Sequence, residues 1–416
     1  MTVNNIKNLY CDVVVVGCGV AGLYTALNLP DDMKIIMLSK EDVESCDSML
    51  AQGGICVLHD EDDYDSFFED TMKAGHYENR KESVDIMIRS SRDVINDLLA
   101  CGVRFEKDEN GELKYTREGA HSRPRICFHK DITGKEITEK LLAKVRERSN
   151  VTIMEYTVMT DILEMNNECI GVVAEQENEK LHIHAKDTVF ATGGIGGLYD
   201  HSTNYPCLTG DGCRIAEKHG AKLENMDYVQ IHPTCLYSNK PGRIFLISES
   251  ARGEGAILLN HKGERFVDEL LPRDVVTKAI NQEMKKEQVE HEYLSFENVD
   301  RATILNHFPN IYEKCLEEGY DILKEPVPII PAQHYFMGGV HVDSNSKTTI
   351  PHLYAAGETS CNGVHGKNRL ASNSLLESLV FAKRLTDDIK NNMKYNTKND
   401  EKGNSTYESD YNAACC

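Results

Sequence analysis

Val13-Val14-Val15-Val16-Gly17-Cys18-Gly19-Val20-Ala21-Gly22 is the stretch that decides how this chain folds. Four successive valines read as a strand buried on both faces. The next six residues spell GxGxxG. In such a turn the first glycine permits the reversal and the second lets the backbone approach a pyrophosphate. The third lets the following helix pack closely on the strand. Val20 to Leu29 reads as that helix, and its first N–H groups are free to meet a phosphate. Lys34 to Ser39 reads as a second strand, which completes a β-α-β unit. Plain glycine turns share the pattern, and its place between strand and helix is what points to a dinucleotide. An NAD site expects an acidic residue about 20 positions further on. Ser39-Lys40 stand there instead, which argues against NAD.

Outward from this unit, Asp63 to Ala100 carries apolar residues at helical spacing, with Gly102 as its cap. Val151 to Leu163 and Cys169 to Ala174 read as strands joined by a turn at Asn166-Asn167. Thr188 to Ala191 is a short strand ending in Thr192-Gly193-Gly194. A helix starts after Gly210-Asp211-Gly212. Leu353 to Ala356 is a strand ending in Gly357-Glu358, and Ser374 to Ile389 reads as a helix. Glycine after a strand, repeated along one chain, suggests one extended ligand touched from several strand ends. Ser48 to Gly54 adds another glycine pair, read equally well as a simple loop. The alternation of strand and helix signals weakens from about Met226 to His334, and 265–274 looks loop-like. The expected fold class is therefore α/β, a Rossmann-like dinucleotide domain with an inserted α+β capping domain. The expected boundaries are 1–225 and 335–390 for the first, 226–334 for the insert, and 391–416 for a polar, disordered tail.

Composition narrows the function. Of 416 residues, 46 are Lys or Arg and 67 are Asp or Glu, giving −21. That balance argues against binding nucleic acid or an anionic membrane. No apolar run is long enough to span a bilayer, and residues 1–10 lack the order of a signal peptide, so a cytoplasmic location is expected. None of the 14 cysteines forms a CxxC pair, which leaves a zinc site and a disulfide framework unsupported. No metal is expected. His232-Pro233-Thr234, Arg252, Arg273, His334 and Arg369 lie in loop-like surroundings and are suited to holding an anion. Taken singly, such an Arg is more often solvated and such a His more often structural.

Together these residues resemble the L-aspartate oxidase family, within the superfamily of succinate dehydrogenase and fumarate reductase flavoproteins. The resemblance runs from about Cys11 to Ile389. It rests on the N-terminal GxGxxG, on Ala51-Gln52-Gly53-Gly54, on His232-Pro233-Thr234 and on Ala251-Arg252-Gly253-Glu254-Gly255. Pro272-Arg273-Asp274, Pro331-Ala332-Gln333-His334-Tyr335 and Asn368 to Glu377 complete it. Two features favour the oxidase. Asp47 stands where the respiratory subunits carry the His that bonds covalently to flavin, so a non-covalent FAD is implied. Glu118 to Ile126, followed by Asp131-Ile132-Thr133-Gly134, is similar to aspartate oxidases.

The resemblance implies that FAD is held by Gly17, Gly19, Val20, Gly22, Ser39, Lys40, Asp47, Ser48, Met49, Leu50, Ala51, Gln52, Gly53, Gly54, Asp211, Glu358, Asn373, Ser374 and Leu375. It implies His232, Thr234, His334 and Arg369 for the substrate carboxylates, Glu118 near the amino group, and Arg273 as proton donor or acceptor. It further implies oxidation of L-aspartate to iminoaspartate by hydride transfer to flavin N5, with reoxidation by oxygen or fumarate. That is the first step of NAD biosynthesis through quinolinate, with quinolinate synthase as pathway partner. A soluble fumarate reductase or succinate-oxidising flavoprotein, or a flavin module without turnover, are the competing readings. Aspartate oxidases commonly continue into a C-terminal helical domain, whereas the ordered pattern here stops near Ile389.

Overall fold

The structure is a computed structural model that describes residues 6–240 and 242–400. Strand β1, Ile6–Val16, buries its last four residues, and Val13, Val14 and Val15 are inaccessible on both faces of the sheet. Helix α1, Val20–Asn28, and strand β2, Ile35–Leu38, follow as the sequence suggests. The helix expected over 63–100 is two helices, α2 (Tyr64–Ala74) and α3 (Lys81–Ala100). The chain turns between them because His76 and Tyr77 both adopt φ of 58°. There the Asn79 amide donates to the Thr71 and Val364 carbonyls. Apolar spacing continues through this break, so periodicity alone could not reveal it.

Helix α4 spans Thr133–Arg146. The strand expected over 151–163 is also divided, into β3 (Val151–Met154) and β4 (Thr157–Met165), at Tyr156 with φ of 52°. β3 extends the parallel sheet beyond β2, whereas β4 opens an antiparallel meander. The meander continues through β5 (Glu168–Gln176) to β6 (Glu179–Phe190). Asn166 and Asn167 turn between β4 and β5 with φ of 56° and 64°. β6 then runs parallel to β1. Helix α5, Asp211–Lys218, follows.

The insert is an antiparallel sheet of strands β7 (Val229–Leu236), β8 (Ile257–Leu259), β9 (Glu292–Ser295) and β10 (Val327–Phe336), in the order β7-β10-β9-β8. Helix α6, Arg273–Glu287, packs on it. This cap has its own core, including Leu258, Val276, Ile280, Leu294, Phe308 and Ile329. Its signals were weak because β8 and β9 are only three and four residues long. The stretch 265–274 is loop up to Pro272, and α6 begins at Arg273. The expected end of the insert at 334 falls inside β10. Strand β11, Leu353–Ala355, then returns to pair in parallel with β6.

Helix α7 runs from Asn373 to Asp400, ten residues past the expected boundary at Lys390. Lack of apolar residues removes the drive to pack, but it does not stop an already nucleated helix from propagating. The rest of the expected tail, 401–416, lies outside the described residues. Val13, Val15, Ile35 and Met37 pack under the helices on one face of the main sheet. Val14, Val16, Ile36 and Leu38 pack against the meander and α5 on the other. Strands β1, β2, β6 and β11 are all parallel, so their carboxyl ends, with the glycine clusters that follow, open on one edge.

Candidate active site

The cleft along that edge is lined by Gly17, Gly19 and Val20, by Ser39 and Lys40, and by the 47–54 loop without Met49. Glu118, Asp211, Arg273, His334, Glu358, Arg369, Ser374 and Leu375 complete its walls. At its glycine end, Gly17 has φ of +116°, and a Cβ there would stand 2.0 Å from the Ala191 carbonyl oxygen. Only glycine fits. Gly22 does not line the cleft. A Cβ on it would stand 2.0 Å from the Gly17 oxygen, so it lets α1 pack against the turn. Gly19 caps α1 without a side-chain partner, and Val20 N–H donates to Ser48 Oγ at 3.1 Å.

Polar groups line the length of this cleft. Lys40 Nζ meets Asp211 Oδ2 at 2.7 Å and the Cys207 carbonyl at 2.8 Å. Ser39 Oγ donates to the Asp42 carbonyl at 3.2 Å. Asp47 Oδ1 accepts from Tyr205 N–H at 2.9 Å, while its buried Oδ2 has no partner among the described residues. Burial pushes its carboxyl up to about 7. Glu358 accepts from Phe336 N–H at 2.9 Å, and burial, then the charge of Asp47, pushes it up to about 8. Gln52 donates to the Leu246 carbonyl and leaves its Oε1 without a partner among the described residues. Met49 and Asn373 do not line the cleft, and the Asn373 amide donates instead to Thr71 Oγ1. Glycine cradles, a helix N-terminus without a capping side chain at Gly19 and unanswered buried acceptors fit an extended dinucleotide such as FAD.

The far end of the cleft is positively charged inside an acidic protein. Arg252, Arg273 and Arg369 are buried there beside the carboxyls of Glu118 and Glu249. Arg273 Nε donates to Glu249 Oε2 at 2.5 Å, and its Nη1 donates to Gln230 Oε1 at 3.0 Å. Gln230 Nε2 in turn donates to the Arg369 carbonyl at 2.8 Å. Arg369 lies 4.7 Å over the Tyr335 ring and donates to Ser374 Oγ at 3.1 Å. Its Nε has no partner among the described residues, and burial, then Arg273, lowers its pKa to about 10. Burial alone would raise Glu249, but the guanidiniums of Arg273 and Arg252 together pull it below the usual carboxylate value.

Glu118, only 3 % exposed, accepts from Ser250 Oγ at 2.8 Å and from Ser372 Oγ at 2.5 Å. Burial, then the charge of Glu249, raises its pKa. A Cβ on Gly53 would come within 2.2 Å of its Oε1, so the glycine pair lets Glu118 reach the cleft. Arg125, wholly buried, holds this segment through Asp63 at 2.8 Å and Asp70 at 2.6 Å. It also donates to His121 Nδ1, so His121 Nε2 carries the hydrogen given to the Ala371 carbonyl at 3.0 Å.

His334 Nδ1 pairs with Thr203 Oγ1 at 2.8 Å, and the His232 ring meets the His334 ring edge-on at 5.3 Å. Burial, then Arg273, holds both imidazoles well below their usual pKa. His232 and Thr234 stand behind the cleft wall rather than in it. Thr234 Oγ1 donates to the Ile247 carbonyl at 3.2 Å, because β7 turns it toward the cap. The hydroxyl that lines the cleft is Ser248, at the start of a one-turn helix Glu249–Gly253. Reading the sequence missed Ser248, Gln230, Glu249, Ser250 and Ser372. The i, i+3 pairing of Glu249 with Arg252 beside a quoted motif was the one available signal.

Residues 12–375 match the FAD binding domain family. An L-aspartate oxidase of Clostridium perfringens is 54% identical over 374 residues, 90% of this chain and 85% of that protein. The chain belongs to the L-aspartate oxidase family. Another member, from Clostridium acetobutylicum, is 47% identical over 400 residues, 96% of this chain and 92% of that protein. The member from Acinetobacter baylyi is 41% identical, and only 72% of its length is matched. Among solved structures, an Escherichia coli quinol fumarate reductase superposes with a TM-score of 0.86 at 30% identity. It covers 92% of this chain and 70% of that one. An FAD-binding α/β fold of the fumarate reductase type therefore carries an aspartate oxidase sequence.

Proposed function

We propose that the chain oxidises L-aspartate to iminoaspartate with non-covalently bound FAD, with fumarate or oxygen as final acceptor. The observation that carries this reading is the pair Arg273 and Arg369, buried at the end of a dinucleotide cleft beside a buried carboxyl, Glu118, whose hydrogen bonds come only from hydroxyls. Two guanidiniums suit two carboxylates, and Glu118 suits an ammonium between them. FAD, when bound, supplies the hydride acceptor and passes the electrons on.

The chain's own residues do the rest. Arg369, with the neutral imidazole of His334, holds one carboxylate. Ser248 adds a hydroxyl, and His232 packs behind His334 to fix its ring. Arg273 can pass on a proton only if a partner restores it. Glu249, bonded to Arg273 and 3.4 Å from Arg252, is placed to do so. At the other end, the first turn of α1 would hold the pyrophosphate, and Asp47, Glu358, Lys40 and Asp211 would hold the remaining polar groups of the cofactor. We assign 1–225 and 335–390 to the cofactor half and 226–334 to the cap, whose last strand, β10, runs on to Phe336. No described helix is long and apolar enough to cross a membrane. The cysteines of the described residues are all free thiols, in keeping with a cytoplasmic setting. Iminoaspartate is unstable in water, which suits a pathway partner such as quinolinate synthase.

The test is anaerobic addition of L-aspartate to the purified holoprotein. Aspartate should bleach the oxidised flavin bands, and fumarate should restore them. Bands that persist with aspartate while succinate bleaches them would overturn the substrate assignment.

A further inference from the structure

A second cavity, of about 290 Å³, opens at the seam between the cap and the cofactor half. Its walls come from the end of α2, the 117–122 segment and cap residues Leu270 to Pro272. Glu118 forms part of both this cavity and the main cleft. The residues suited to a dinucleotide, from Gly17 to Ser374, line the length of the main cleft, so a cofactor there would occupy it. The second cavity meets the substrate end at Glu118 without passing along any of the dinucleotide residues.

The rim of this cavity has the charge such a route requires. Lys73 and Arg117 are exposed on it, and neither forms an ion pair with any described residue. The one acidic side chain on the wall besides Glu118, Asp70, is already answered by Arg125 Nη1 at 2.6 Å and by Ser122. The cap side of the rim leads directly into Arg273. It is fastened by the Ala120 N–H to Leu270 carbonyl bond at 3.1 Å, and by His76 to Asp274 at 3.0 Å, an exposed pair.

We propose that this cavity is the route by which dicarboxylates reach the flavin face. Lys73 and Arg117 collect the anion at the rim, and Glu118 receives its amino group at the inner end. The inference rests on the function proposed above. Neither rim residue belongs to the machinery that binds or oxidises the substrate.

The experiment is stopped-flow reduction of the holoprotein by L-aspartate, and reoxidation by fumarate, in Lys73→Glu/Arg117→Glu. Steering of this kind changes association by roughly 10-fold or more and is screened by salt. Aspartate carries a net charge of −1 and fumarate −2, so the logarithm of the effect should double. A loss of about 5-fold in kcat/KM for aspartate at low salt should accompany a loss of about 25-fold for fumarate, and both should shrink in high salt. Saturating kcat, FAD content and bleaching by dithionite should match the parent. Lys73→Ala/Arg117→Ala should show the same ordering at smaller size, and keeps the test available if the charge reversal folds poorly. Values of kcat/KM within twofold of the parent for both ligands at low salt would overturn the route. So would equal, salt-independent losses. A parent protein that aspartate does not bleach would instead overturn the function on which the route rests.

Discussion

Replacing Glu118 with Gln separates an amino-acid oxidase from a plain dicarboxylate enzyme. The amide has the same shape and keeps most of the contacts with Ser250 and Ser372, so the change removes charge and little else. Glu118 is 3 % exposed, and its hydrogen bonds come from neutral hydroxyls. No cation of the protein is bonded to it, so the substrate ammonium is its natural counter-ion. A hydrogen bond to a charged group contributes about 1.5–3 kcal/mol, which predicts a fall in kcat/KM for aspartate of about 10- to 150-fold. Fumarate has no ammonium, and a negative charge beside a dianion only repels it, so fumarate reduction should hold or improve. Steady-state kinetics with both ligands measures the contrast. Equal losses for aspartate and fumarate would refute the reasoning. Burial raises the Glu118 pKa, so aspartate turnover in the parent should fall as pH drops through that raised value, a limb the variant lacks. A carboxyl whose folded pKa is raised favours the fold at low pH and loses that contribution as pH rises through the folded value. The variant, which does not ionise, should therefore gain stability relative to the parent toward alkaline pH, read by thermal unfolding across pH.

Two further changes test other parts of the site. Glu249→Gln strips the shared counter-ion from Arg252 and Arg273. It should cost about 3–5 kcal/mol in chemical denaturation and lower kcat on the order of 100-fold with little change in KM; an unchanged kcat would remove Glu249 from the proton path. Gly17→Ala places a Cβ 2.0 Å from the Ala191 oxygen at φ of +116°, so the protein should purify without flavin, read from its visible absorbance.

Some of this molecule was legible along the chain and some was not. The β-α-β unit, the glycine clusters after strands and the meander turn at Asn166-Asn167 were legible, because each depends on residues a few positions apart. Strand period, helix period and left-handed turns are local properties of the backbone. The breaks at His76-Tyr77 and Tyr156 were not, because apolar spacing runs through both, although local backbone bonds close the first and a bond from Tyr156 N–H to the distant Glu41 carbonyl holds the second. The same limit governs the site. Arg273, Arg369, His334 and Glu118 could be named from motifs and line the cleft, whereas His232 and Thr234, named for the same carboxylates, stand behind its wall. Gln230, Glu249 and Ser372 were overlooked, since an ordinary polar residue has no signature until its neighbours are known. The sequence by itself determined a dinucleotide turn and the family to which the chain belongs. Only the tertiary structure decided which charges face one another, because burial and distance, rather than residue type, set whether a guanidinium, a carboxyl or an imidazole is paired, free or neutral.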